Sequence, residues 1–257
     1  MIRSQLSNIL RNAARPGYLV TMAQKVMLRA DGYLHPSDPQ DVRKWCAGRA
    51  ESAADYARAL SPELWDEAES FTERFRIEAT RKLQKLGVTL GGGGHYELLY
   101  FLTRWQKPQV VFETGVAAGF SSAAILSALE KNEQGQLKSS DFPYFRLERP
   151  ERFIGCLVEE GLKSRWQLET KGDRLNLPKL LRDVQQVDLF HYDSDKSHYG
   201  RRFALKQVAP KLSAGAVLMM DDVQDNWFFR EYAEANAARF RVFEFQGKYL
   251  GLVERGA

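Results

Sequence analysis

Six acidic side chains, Glu113, Asp141, Asp173, Asp193, Asp221 and Asp222, fall where a run of strand-forming residues gives way to a turn or a helix. Asp193 opens Asp193-Ser194-Asp195-Lys196-Ser197-His198-Tyr199, and Asp221 and Asp222 are adjacent further on. Asp193 ends the fourth predicted strand and Asp221 the fifth. Neighbouring strand ends lie about 4.8 Å apart, and three carboxylates that close raise one another's pKa unless a cation sits among them. All-oxygen ligation, with no cysteine or nearby histidine pair, points to Mg²⁺, Mn²⁺ or Ca²⁺ rather than zinc. A cation of that kind lowers the pKa of an alcohol, and a base then removes its proton. Lys196 and His198 are the candidate bases. The plainer readings are a surface lysine at 196 and a helix-capping acid at 222.

The earlier acids surround a turn, Val110-Val111-Phe112-Glu113-Thr114-Gly115-Val116-Ala117-Ala118-Gly119-Phe120-Ser121-Ser122. An apolar strand delivers Glu113, small residues through Ala117 make the turn, and Ser121 and Ser122 stand at a helix start. Gly115 and Gly119 let the backbone approach a ligand closely, and the two serines are good N-cap residues. The spacing is neither the dinucleotide G-x-G-x-x-G nor a phosphate-cradling lysine loop. It suits a ligand that presents an amino-acid end. Asp141 closes the second predicted strand, where an acid can accept both hydroxyls of a ribose. Asp173 follows the third, where a polar side chain can meet an adenine amino group.

The elements that must hold these residues read as α/β. Strands are predicted over 110–113, 136–141, 166–170, 187–193 and 216–221, with helices over 121–130, 151–162, 176–182, 199–211 and 228–237 between and after them. Apolar strands alternating with helices predict a doubly wound, mostly parallel sheet. Strands 241–245 and 248–253, joined at Gln246-Gly247, predict a closing antiparallel hairpin, for seven strands in all. Upstream, Ser61 and Pro62 start a helix that Gly87 ends, with Leu64, Ala68, Phe71, Phe75 and Ala79 on its buried stripe. Gly91 to Gly94 make a joint, and a further helix carries Leu98, Leu99, Leu102 and Trp105 on its apolar side. The expected organisation is a helical segment over 1–90, serving as lid or oligomer contact, and a ligand-binding domain over 91–257.

Charge narrows the partners. The net charge is +4, but residues 1–50 hold eight Lys/Arg against three acids, which is +5 and leaves −1 for the rest. A nearly neutral catalytic part argues against nucleic acid. Cys46 and Cys156 are too few for a disulfide framework, and there is no apolar run of membrane-spanning length, so a soluble, cytoplasmic chain is expected. Residues 1–30 contain no acid, and Ile2, Leu6, Ile9, Leu10 and Ala13 recur at helical spacing before Pro16. A helix packed on the body or on a second subunit is preferred there over an organelle presequence or a membrane-surface helix. His191 reads as a core histidine, His95 as a substrate contact or a helix start, and Trp227 and Phe228 as pocket wall or core.

On these residues the chain resembles the class I S-adenosylmethionine-dependent methyltransferases over about 91–253. More narrowly it resembles the macrolide-sugar O-methyltransferases and cephalosporin-biosynthesis-type proteins. The acids at the fourth and fifth strand ends are similar to those of metal-dependent catechol and caffeoyl-CoA O-methyltransferases. The resemblance implies that Glu113, Gly115 and the Ser121 region contact the methionine part of the cofactor, Asp141 the ribose and Asp173 the adenine. Ala117, Gly119, Ser122 and Asp193 are expected around the same cofactor. It further implies a metal, Mg²⁺ or else Mn²⁺ or Ca²⁺, on Asp193, Asp221 and Asp222, with Lys196 helping to deprotonate the acceptor. Two features depart from the pattern. Asp141 is followed by Phe142-Pro143-Tyr144-Phe145 rather than a helix, and Asp222 stands where the catechol type has Asn. The implied activity is O-methylation of a small-molecule hydroxyl, such as a sugar or a natural-product diol, by a homo-oligomer. The rival readings are a metal-independent methyltransferase of the same fold, a non-catalytic binding protein that keeps the fold, and a nicotinamide-dependent oxidoreductase.

Overall fold

The structure is a computed structural model that describes residues 2–15, 18, 22, 37–88, 90, 92–236 and 239–255, with side chains from residue 7 onward. The side chains of Ile2 and Leu6, the Pro16 boundary and Gly91 of the glycine joint therefore lie outside the described residues. Eight strands form one sheet: β1 (Ala50–Glu51), β2 (Val110–Thr114), β3 (Gln136–Ser140), β4 (Trp166–Glu169), β5 (Val187–Tyr192), β6 (Leu212–Met220), β7 (Arg239–Phe245) and β8 (Lys248–Glu254). Their order is β1-β7-β8-β6-β5-β2-β3-β4. The five strands β4-β3-β2-β5-β6 are parallel. β8 runs antiparallel to β6, and β7 antiparallel to β8. The eighth strand, β1, pairs in parallel with β7 through two exposed residues, too short a stretch to carry a readable alternation. Gln246 and Gly247 both have positive φ, 52° and 76°, the geometry a two-residue hairpin turn needs.

Around the sheet lie α1 (Ile2–Ala13), α2 (Pro39–Ala47), α3 (Ala53–Leu60), α4 (Pro62–Leu86), α5 (Tyr96–Gln106), α6 (Phe120–Lys131), α7 (Asp173–Leu180), α8 (His198–Val208) and α9 (Phe228–Ala235). Alternation along the strands separates two cores. Val111, Leu189 and Met219 face a core shared with α3, α4, α5 and α6. Phe112, Phe190, Leu218 and Met220 face one shared with α2, α7, α8 and α9. Residues 39–86 thus pack into both cores. α4 takes the predicted bounds: Ser61 Oγ accepts the Leu64 amide at 3.4 Å, and Gly87 closes the helix with φ 62°. α5 is buried almost all round, yet Trp105, expected on its apolar side, is 40% exposed.

One predicted helix does not form. Residues 151–162 run instead as turns flanked by the 3-10 segments Pro150–Arg152 and Glu160–Arg165. Gly155 takes φ 66° and lies under the Trp166 ring, where a Cβ would come within 2.2 Å. The Gly155 and Leu157 amides donate to the carbonyls of Ala117 and Ala118, each at 2.9 Å. Long-range bonds and a buried tryptophan ring override the local helical period. Among the described residues no helix is long and apolar enough to cross a membrane.

The order of strands creates a switch point beside β2. The chain builds outward from β2 through β3 to β4, then returns to β5 on the other side of β2. Such a switch point opens a crevice at the carboxyl ends of the two central strands. All six acids singled out in the sequence follow or end strands at that edge.

Candidate functional site

The turn after β2 is shaped by what presses on it. Gly115 takes φ 85°, and a Cβ there would stand 2.3 Å from the Asp193 carbonyl oxygen. Gly119, at φ 97°, would bring a Cβ to 2.9 Å from Gly155 Cα. Ala117 carries a positive φ of 51° and donates its amide to Asp141 Oδ2 at 2.8 Å. α6 then begins at Gly119 without a side-chain cap, and its leading amides are the groups a helix leaves unpaired.

Glu113 is held from within the fold. Its carboxylate is fully buried and accepts the hydroxyls of Ser121 at 2.6 Å, Ser122 at 2.6 Å and Ser139 at 2.7 Å. The hydroxyls of Ser121 and Ser122, two residues expected around the cofactor, are spent on this carboxylate. The three serines replace the water that a buried carboxylate loses. Glu113 therefore braces the loop from below.

Asp141 is almost wholly buried, and burial pushes its carboxyl from the usual 3.8 up to about 7. Asp173 opens α7 and ties two strand ends together, accepting Ser140 Oγ at 2.6 Å and Ser194 Oγ at 2.5 Å; burial raises its pKa too. The Asp141 value sets a pH-dependent cost. In the unfolded chain the carboxyl ionises near 3.8, whereas in the fold it resists until about 7. Native stability from this group therefore falls as pH rises from 4 towards 7 and stays low above. Asp141→Asn is expected to raise the thermal midpoint at pH 8 by several degrees, roughly 3 °C or more, and to leave it unchanged at pH 4. Equal midpoint shifts at both pH values in a calorimetric scan would contradict this.

On the other side of β2, the carboxylates of Asp193, Asp221 and Asp222 each offer an oxygen within 4.8 Å of the others. The register explains the meeting: Tyr192 pairs with Met220, and the Asp221 amide donates to the Tyr192 carbonyl at 2.9 Å. Burial, followed by the charge of Asp193, pushes Asp221 up to about 7. Asp222 is also penalised by burial, but Lys196 and Lys248 outweigh that and hold it below the usual range. Lys196 Nζ donates to Asp193 Oδ1 and lies 3.4 Å from Asp222 Oδ2. Burial would depress the Lys196 ammonium, yet the three carboxylates hold it above its ordinary value. The surface-lysine reading is thereby set aside.

His198 is not part of this cluster as an available base. Its Nε2 lies 2.9 Å from Glu231 Oε2 and its Nδ1 3.0 Å from Arg202, and Phe228 meets its ring edge-on at 4.9 Å. Trp227 packs edge-on against Trp45 at 6.3 Å, so both aromatics serve core packing. His95 caps α5, accepting the Leu98 amide at 3.4 Å, and burial drives its pKa down to about 3. His191 is fully buried, 3.7 Å from Glu113, with neither ring nitrogen hydrogen-bonded among the described residues.

Two residues that sequence reasoning missed complete the site. Arg201, fully buried in α8, donates to the carbonyls of Asp221 at 3.2 Å and Asp222 at 2.6 Å and to Asn226 Oδ1 at 2.9 Å. It fixes the left-handed turn at Asp222, φ 52°, that aims the paired acids. Lys248, at the start of β8, lies 3.1 Å from Asp222. An arginine on the inward face of a helix was the one local signal for the first; nothing local marked the second. A cleft of about 1250 Å³ opens at the opposite edge of the sheet, around Trp105, Asp188 and Gly215. None of the six acids lines it.

The chain is similar to known proteins in part of its sequence and in its fold. A family model described as a methyltransferase domain matches residues 112–223, the stretch from β2 through the paired acids. No curated protein matches the chain in sequence. Among solved structures, the fold is shared with the O-methyltransferase TomG from Streptomyces achromogenes, involved in tomaymycin synthesis and solved with S-adenosylmethionine. That match has TM-score 0.56 and 18% identity, and covers 77% of this chain and 100% of that one. It is shared also with an O-methyltransferase from Bacillus cereus in complex with S-adenosylhomocysteine, at TM-score 0.54 and 15% identity over 71% of this chain and 91% of that one. A methyltransferase from Geobacter sulfurreducens is similar at TM-score 0.53 and 15% identity, over 72% and 89%.

Proposed function

We propose that this chain, a class I S-adenosylmethionine-dependent methyltransferase, moves the donor's methyl group onto a hydroxyl of a small molecule such as a sugar or a diol, with a divalent cation on Asp193, Asp221 and Asp222. The observation that carries the reading is the acid triad with Lys196 inside it, one strand away from the glycine turn. The donor's amino-acid end suits the backbone of residues 115–119 and the leading amides of α6. Asp141 and Asp173 stand along the same edge for the ribose and the adenine.

The residues fit a hard cation. Three carboxylates with oxygen donors only, one of them pushed up to about 7 by burial and by its neighbours, form an electrostatic arrangement that positive charge relieves. When bound, a divalent ion supplies the charge that lowers the acceptor hydroxyl's pKa. The protein's own part is orientation and proton traffic. Arg201 fixes the Asp221-Asp222 turn, and Lys248 steadies Asp222. Lys196 Nζ stands beside the carboxylates, where it can take the acceptor proton once the field that keeps it charged is offset. The methyl group then passes from the donor's sulfur to the acceptor oxygen in line, with most of the rate coming from positioning. The acceptor keeps the methyl and S-adenosylhomocysteine leaves.

Calorimetry with S-adenosylhomocysteine tests the assignment directly. Binding below about 100 μM, in the range usual for enzyme ligands, is the expected result. Absence of heat at millimolar ligand, with the chain folded by circular dichroism, would sink it.

A further inference from the structure

Of the three acids in the triad, Asp222 carries the most partners among the described residues. Both its oxygens meet cations: Lys248 Nζ lies 3.1 Å from Oδ1 and 3.3 Å from Oδ2, and Lys196 Nζ lies 3.4 Å from Oδ2. Gln224 Nε2 donates to Oδ1 at 3.1 Å. The same glutamine accepts the Tyr249 amide on Oε1 at 2.8 Å, so one side chain ties Asp222 to the strand that carries Lys248. On the other side of Lys248, Arg43 donates to the Gly247 carbonyl at 2.7 Å, and its guanidinium lies 5.4 Å from the Tyr249 ring. The backbone on both sides of residue 248 is thus held, from α2 and from the segment after Asp222, and this sets the ammonium on the carboxylate.

The two lysines differ in how firmly they are held. Lys196 is 24% exposed and donates to Asp193 as well as lying beside Asp222, so two carboxylates keep it in place. Lys248 is 53% exposed, and Asp222 is the one carboxylate it pairs with among the described residues. A partly buried pair is costly to break, whereas a half-exposed one is worth little, and a lysine's flexible stem lets it swing free. Of the two ammonium groups on Asp222, Lys248 is therefore the one that can leave. The charge count gives it a reason to be there. An Asp at 222 adds one negative charge relative to the Asn of the catechol-type pattern, and Lys248 is the cation that offsets it.

We propose that Lys248 is an exchangeable counter-ion, which occupies Asp222 until a divalent cation displaces it and so lowers the affinity of the acid triad for that cation. This rests on the metal-assisted reading above. Lys196 stays beside Asp193 through the exchange, while Lys248 moves out to solvent on its own stem. Removing Lys248 therefore strengthens metal binding, the opposite of what the loss of a brace would do.

The test is a titration of Mn²⁺ into the full chain, with the free ion read by electron paramagnetic resonance and the Asp193→Ala chain as the blank for ions bound elsewhere. Lys248→Met is expected to tighten Mn²⁺ binding about fivefold, the scale of one half-exposed ion pair. Lys248→Arg, which keeps the charge, should stay within about twofold of the unaltered chain. In an Asp222→Asn background, Lys248→Met should change the affinity by less than about twofold, because the two residues are coupled through their contact. Unchanged or weaker binding in Lys248→Met would overturn the proposal, and so would an equal gain in both backgrounds, which a long-range charge effect predicts. If Lys248→Met does not fold, Lys248→Gln takes its place in both backgrounds. Mn²⁺ binding by the unaltered chain no greater than by Asp193→Ala removes the metal site and this proposal together, and leaves the methyltransferase reading to the S-adenosylhomocysteine measurement.

Discussion

Asp193→Ala is expected to lower turnover by at least about 10²-fold and to abolish its stimulation by Mg²⁺, the scale seen when a preorganised electrostatic group is removed from an active site. Asp221→Ala should behave alike. The same changes should not destabilise the chain in the presence of a chelator. Asp193 is one of the charges that raise the Asp221 pKa, so its removal relieves repulsion, while Lys196 keeps Asp222 as a partner at 3.4 Å. A loss of activity together with unchanged or increased stability separates a site that is costly to hold from one that merely supports the fold. Lys196→Arg is a sharper probe of the proton's path. Arginine keeps the charge but does not release a proton in proteins, so turnover should fall even though the cluster keeps its cation. The measurement is initial rate against Mg²⁺ concentration with a hydroxylated acceptor, alongside thermal unfolding with and without chelator. Turnover that ignores chelator and survives Asp193→Ala would favour the metal-independent mechanism.

Gly115→Ala carries the second large effect, and here it falls on folding and ligand binding together. The added Cβ would lie 2.3 Å from the Asp193 carbonyl oxygen and 2.5 Å from its carbon, with φ at 85°. The obstacle is backbone, so no rotamer change relieves it. Conformational strain alone is about 1–3 kcal/mol, and displacing the end of β5 adds to that. A loss above about 3 kcal/mol is expected, near the upper range for single substitutions, with donor binding undetectable. Gly87→Ala is the control. It shares a positive φ of 62° but has nothing within 4 Å, so it should cost only about 1 kcal/mol and leave binding intact. Urea unfolding of both variants decides the matter: equal costs would mean that close approach at Gly115 is not what selects glycine there.

Gly115 also marks where sequence stops being informative. The turn was legible because a strand, two glycines and a helix start follow one another within a dozen residues, and each obeys a local rule. The same locality made α4 readable from its cap and its terminal glycine, and the β7–β8 hairpin from Gln246-Gly247. It placed Asp193 and Asp221 at strand ends, from which their meeting followed once β5 and β6 were neighbours. That Gly115 must be glycine because the Asp193 carbonyl crosses it is a fact about two segments far apart in the chain.

Period and turn chemistry, which act over a few residues, were therefore enough for the parallel sheet, its closing hairpin and the acids along one edge. Tertiary structure decided which way those acids face and what holds them. Glu113 turned inward because three serine hydroxyls, one of them from the neighbouring strand, could replace its water. His198 left the site because Glu231 and Arg202 took its ring. Arg201 and Lys248 entered it from a helix face and a strand start that look ordinary in sequence. Residues 151–162 gave up a helical period because the glycine turn and Trp166 needed their amides and Gly155 more. Each of these outcomes is a contact between distant segments, and its free energy exists only once the sheet has brought them together.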